Sequence, residues 1–124
     1  MMNKGNLLGS AASYKADGAV TQFRAARQTT NGYKQCDAEG ERVDGIFMND
    51  APTGDEVTIF SGGVHTAVCG AAVAGDAECM TGADGRLITH VGAAGNEVAG
   101  VAETATTAAG QTFQLRHYPG GPTR

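Results

Sequence analysis

The apolar positions of this chain fall in short alternating runs, and glycine beside Asp, Asn, Glu or another glycine interrupts them at intervals of about 8 to 12 residues. The interruptions are Asp17-Gly18, Asn31-Gly32, Glu39-Gly40, Gly54-Asp55, Gly62-Gly63, Gly75-Asp76, Asp84-Gly85, Gly95-Asn96 and Gly110-Gln111. Between them, Thr58 to Phe60, Val64 to Val68, Leu87 to Thr89 and Phe113 to Leu115 carry the β-branched and aromatic residues that suit a pleated surface. The pattern predicts an all-β sandwich or barrel of about eight or nine short strands. Helical spacing is confined to one loose turn over Thr104 to Ala109.

Sliding the chain along itself by about 53 to 56 residues brings two halves into register. Gly40 to Ile46 matches Gly95 to Val101, Gly54 to Ile59 matches Gly110 to Leu115, and Asn31 to Tyr33 matches Asp84 to Arg86. Each half then supplies about four strands, with Gly63 to Cys69 as an extra strand between them. Val43 and Ile46 in one half, Val98 and Val101 in the other, are three apart and all apolar, although positions three apart in a regular strand face opposite sides. Gly45 and Gly100 are therefore expected to mark bulges or close-packed kinks. Val57, Ile59, Phe113 and Leu115 are the predicted core; Glu56, Thr58, Thr112 and Gln114 point the other way.

Alternation is missing from Met1 to Ala16, which reads as an extended N-terminal arm ahead of a β-rich domain over 17–118 and a short tail over 119–124. An arm of this composition cannot bury enough apolar surface to fold alone, so partner contacts are expected to order it. Leu7, Leu8 and Tyr14 are its sizeable anchors, with Lys4 and Lys15 placed to meet acidic groups around them.

Composition sharpens this picture. Of 124 residues, 21 are Ala and 19 are Gly, while Leu, Ile, Val and Phe together number 20, which leaves a thin core and favours close backbone approach. The net charge of -4 is too small to imply disorder and has the wrong sign for a phosphate-backbone binder, so no nucleic-acid partner is expected. No run approaches the ~20 apolar residues of a membrane span, and the start lacks a signal-peptide core, so a soluble chain made in the cytoplasm is expected.

Candidate chemistry is sparse. Cys36, Cys69 and Cys79 cannot all pair with one another and show no C-x-x-C spacing; His65, His90 and His117 lie too far apart in sequence for a local metal motif. The cysteines read as small buried residues and the histidines as surface or interface residues. Ser61 lacks the first glycine of a nucleophile elbow, and no phosphate-binding glycine motif occurs. Asp37, Glu39, Asp55, Asp76 and Asp84 sit in turns, where an Asx residue beside glycine is explained by turn geometry. These readings predict no catalysis, no cofactor and no metal.

Ala51 to Val57 (APTGDEV), Ala71 to Asp76 (AAVAGD), Asp84 to Arg86 (DGR) and Val98 to Glu103 (VAGVAE) stand in an order that resembles the phage capsid decoration, or cement, proteins of the DUF2190 type. The similar segment runs from about Val20 to Arg116. It departs from the family's look over residues 1–16 and between Phe23 and Gly40, where Arg24, Arg27 and Gln28 blur the strand pattern. The resemblance implies a structural virion protein on the outer surface of an icosahedral head. There it would reinforce joints between major capsid protein subunits, with neighbouring copies forming a homotrimer. The alternative from a different class is a β-sandwich module that binds carbohydrate or a host surface; it would want exposed aromatics, and the chain has no Trp.

Overall fold

A computed structural model of the chain describes residues 10–92 and 95–119. Ten strands follow one another among these residues: β1 (Ser10–Lys15), β2 (Ala25–Thr29), β3 (Gly32–Gln35), β4 (Gly45–Phe47), β5 (Glu56–Ser61), β6 (Gly63–Val68), β7 (Glu78–Thr81), β8 (Leu87–Thr89), β9 (Gly100–Ala102) and β10 (Thr112–His117). They form two five-stranded antiparallel sheets, in the orders β1-β5-β4-β2-β3 and β6-β10-β9-β7-β8. The first half of the chain builds one sheet and the second half the other, with the same strand order.

The all-β architecture in two related halves is as the turn spacing predicts, and the strand count is one or two higher. Gly63–Val68, expected as an extra strand between the halves, opens the second half, and its counterpart is β1. The segment read as an arm therefore divides: Ser10–Lys15 pair with β5 from Ser10↔Ser61 to Lys15↔Glu56, while residues 1–9 lie outside the described residues. The strand was missed because it is a sheet edge on which residues 11–15 are all exposed, so no apolar alternation marks it. Of the tail, residues 120–124 also lie outside the described residues.

The repeat extends to backbone detail. Each sheet curls until the chain following its first strand touches its third. Ala16 bridges Tyr33 in parallel and Cys69 bridges Leu87 likewise, with the next N–H donating to the same carbonyl: Asp17 to Tyr33 at 2.7 Å and Gly70 to Leu87 at 2.8 Å. The non-glycine residues with positive φ among those described are Phe23 (70°) and Asp76 (67°), which occupy equivalent turns. Their N–H groups donate to equivalent carbonyls, Phe47 and Ala102, each at 2.7 Å. Such unusual backbone at matching positions is repeated structure rather than coincident glycine content.

Gly45 and Gly100 explain the three-residue apolar spacing. A Cβ on Gly45 would meet the Ile59 side chain and the Phe60 carbonyl, and one on Gly100 would meet the carbonyl of Arg116, the residue equivalent to Phe60. Each glycine lets its short strand press onto the long neighbour, so valine just before the strand reaches the same interior. Gly100→Ala is expected to push β9 off β10 and to cost about 1–3 kcal/mol in urea unfolding, whereas alanine at Gly75, with open space around it, should change stability little.

Two packed clusters hold the molecule. One is the first half's own interior, with Ala16, Val20, Ala26, Tyr33, Phe47, Ala51, Val57 and Ile59. The other unites Phe113, Leu115, Leu87 and the other interior residues of the second half with Ala25, Cys36, Val43 and Ile46 from the first. The middle strands of the first sheet are thus covered on both faces: Ala25 and Ile46 turn to the shared cluster, Ala26 and Phe47 to the other. Strands buried on both faces lose their alternation, and alanines allow both neighbours to approach. That is how few large side chains suffice.

Candidate functional site

The residues with catalytic potential sit in packing positions. All three cysteines are buried and free, and burial pushes the Cys36 and Cys79 thiols up to about 12, where the reactive thiolate is suppressed at neutral pH. Among the described residues there is no enclosed pocket and no group of three or more His, Cys, Asp or Glu placed to hold a metal ion. The turn carboxylates serve their own surroundings: Lys34 donates to Asp37 at 2.7 Å and holds its carboxyl below the usual range, and Arg86 pairs with Asp84 at 2.8 Å.

Two of the three histidines differ from the sequence reading, which put all three at the surface or an interface; His90, just after β8, is half-buried with Nε2 3.1 Å from the Asn96 carbonyl. His65 is 6% and His117 2% exposed, and both lie where the halves join. Strand alternation is the signal that would have found them: Phe113, Leu115 and His117 share one face of β10, and His65 shares a face with Ala67. His117 Nδ1 accepts from the Gly62 N–H at 2.8 Å, which leaves the proton on Nε2 to donate to the Val43 carbonyl at 3.0 Å. One ring thereby ties the linker and the first half to the second. His65 stacks on Phe60 with ring centroids 4.4 Å apart and meets the edge of His117 at 6.4 Å. Neither of its ring nitrogens has a hydrogen-bond partner. Burial, reinforced by His117, lowers the His65 pKa to about 4, the Thr66 backbone offsetting this only in part; burial lowers that of His117 too.

An open surface of the sandwich is the β1 edge, which carries two of the predicted contact residues. Tyr14, 40% exposed, rests on the buried Tyr33 ring at 4.5 Å, and Lys15 beside it is exposed along with Ala11, Ala12 and Ser13. Burial, then Tyr14 and Asp44, raise the Tyr33 pKa and keep the phenol neutral. Tyr14 and Lys15 thus belong to a folded edge strand whose outer side meets β3 only at its C-terminal end, through the Ala16–Tyr33 bridge, and otherwise offers a template for pairing with another chain. The other predicted contact residues, Lys4, Leu7 and Leu8, lie outside the described residues. The predicted core residues Val57, Ile59, Phe113 and Leu115 are each 3% exposed or less, and Glu56, Thr112 and Gln114 are exposed opposite them.

No family model matches the chain, that of the decoration proteins it resembles included, and no curated protein matches it. Among solved structures, the chain is similar to the head fiber gp8.5 N base of bacteriophage phi29. That likeness has a TM-score of 0.68 and 19% sequence identity, over 90% of this chain and 96% of that one. At this identity the likeness is one of fold: the whole two-half architecture, rather than a fragment of it, is shared with a component of a phage head.

Proposed function

We propose that this chain is a structural protein of a phage virion, seated on the outer surface of the head and bound to the major capsid protein. The observation that carries the reading is the end-to-end likeness to the phi29 head fiber base, to which the decoration-protein motifs of the sequence add a second, independent pointer. The physical design suits such a role. Each half is a small, curled sheet, and the strand at one edge is left for a neighbour. On the head, the protein would bridge adjacent capsid subunits as an oligomer, most simply the homotrimer that the decoration-protein resemblance implies, and stabilise the joints it spans. Its work is binding, with no reaction and no cofactor.

Purified heads that lack this protein should take up the recombinant chain to a saturating, lattice-defined stoichiometry in co-sedimentation. The loaded heads should release DNA at a higher temperature than bare ones. Uptake without saturation, or none, would reject the head-surface reading; saturating uptake with no thermal gain would reject stabilisation alone. Retention on a glycan array with no affinity for heads would favour the carbohydrate-binding alternative.

A further inference from the structure

The two halves meet head to tail. From the first half, the Phe23 carbonyl accepts the Val68 N–H of β6 at 3.0 Å, and the Ala25 N–H donates to Gly85 at 2.7 Å. Arg24 and Gln35 side chains both donate to the Asp84 carbonyl at 2.9 Å. Under the internal repeat the first of these pairs, Phe23 with Val68, has the mirror partner Asp76 with Lys15, and no backbone hydrogen bond joins that pair among the described residues. The contact is therefore heterologous: one half uses the surface led by its positive-φ turn, the other the surface led by its first strand.

A heterologous contact made once leaves one copy of each surface uncovered, and the burial shows it. Ala25 and Ile46 are fully buried against the second half, while their equivalents Glu78 and Val101 are only half-buried; His65 and Ala67 on β6 are buried, while their equivalents Ala12 and Tyr14 on β1 are exposed. The side chains at the centre of the open surfaces have changed in a complementary way. Phe23 is replaced by Asp76, and Val68 by Lys15. The backbone is ready as well: the Ala16 N–H donates to the Asp55 carbonyl at 2.8 Å, so the preceding N–H, that of Lys15, points away from β5 toward the open edge.

We infer that the chain associates with copies of itself by repeating its internal contact, the Asp76 turn of one copy capping β1 of the next. The Asp76 carbonyl takes the outward Lys15 N–H, as the Phe23 carbonyl takes that of Val68, and the Asp76 carboxylate meets the Lys15 ammonium. Opposite charges at this point fix partner and polarity in place of the apolar contact used inside the chain. The inference goes beyond the virion reading and is tested without a capsid.

Sedimentation of the purified full chain should reveal an assembly whose apparent Kd rises by roughly tenfold or more in Lys15→Glu and in Asp76→Lys. The double variant, which restores opposite charges across every contact, should recover most of it. Lys15→Pro removes the outward N–H without touching the β1–β5 ladder and should weaken assembly as well, with an unchanged circular dichroism spectrum. A chain that stays monomeric at the highest soluble concentration, or an assembly indifferent to these substitutions, would overturn the inference. Head binding by a non-assembling variant would leave the proposed function standing.

Discussion

Phe113→Ala is expected to lower the free energy of unfolding by about 3–5 kcal/mol, a large share of the ~5–15 kcal/mol of a domain this size. Phe113 is the largest side chain contributed by β10 to the cluster that joins the halves, where it packs with Leu87, Leu115 and the first-half residues Ala25 and Ile46. In a core built mostly from alanine, cysteine and valine, with Ile46, Leu87 and Leu115 as its other large side chains, few neighbours have atoms to spare for filling the cavity, which places the cost toward the upper end of the range. Because that cluster belongs to both halves, the loss should appear as one cooperative transition shifted to lower denaturant with an unchanged slope. Two separate transitions would mean that the halves are independent domains. Gln114→Ala, one residue away on the exposed face, should shift stability by no more than about 0.5 kcal/mol.

Acid should destabilise the protein well above the pH at which most carboxylates titrate. Burial holds His65 near 4 and lowers His117 as well, against 6.5 in the unfolded chain. The folded state thus binds fewer protons, and unfolding takes protons up. Stability is complete above about pH 6.5 and falls as pH drops toward 4, by up to about 1.4 kcal/mol per pH unit for each histidine. His65 alone accounts for a loss of about 3 kcal/mol across that window, and His117 adds to it with the same sign, since protonating Nδ1 also breaks the bond from Gly62. His65→Phe should remove most of the loss and leave stability at pH 7 unchanged or higher, because the histidine ring buries two unpartnered nitrogens. Thermal melts across pH 4 to 7 on wild type and variant read this directly; parallel curves for the two would refute the assignment.

Legibility in the sequence followed how each strand is covered. β5 and β10 have one buried and one open face, so Val57, Ile59, Phe113 and Leu115 stood out by alternation. β2 and β4 are covered on both faces, and from Phe23 to Gly40 the pattern was blurred by Arg24, Arg27 and Gln28, while the buried Ala25 and Ala26 gave no alternation to set against them. β1 is open on both faces and carried no pattern at all, which is why it was taken for an arm. Only its place in the repeat, opposite the readable Val64 to Val68, marks it as a strand. The positive-φ turn at Phe23 was invisible for another reason: its equivalent, Gly75-Asp76, has ordinary turn residues, whereas phenylalanine has no local preference for that backbone and is held by the bonds around it. The candidate surface was half legible, since Tyr14 and Lys15 were singled out as contact residues, but from composition and not as part of a sheet edge.

The most direct test of the whole account is a reconstruction, by electron cryomicroscopy, of the phage particles whose genome encodes this chain. Density is expected on the outer face of the head into which the two curled sheets fit as a rigid body, at the same lattice positions on every particle, with contact to the major capsid protein. Heads with a bare outer surface, from particles whose protein inventory by mass spectrometry lacks this chain, would contradict it.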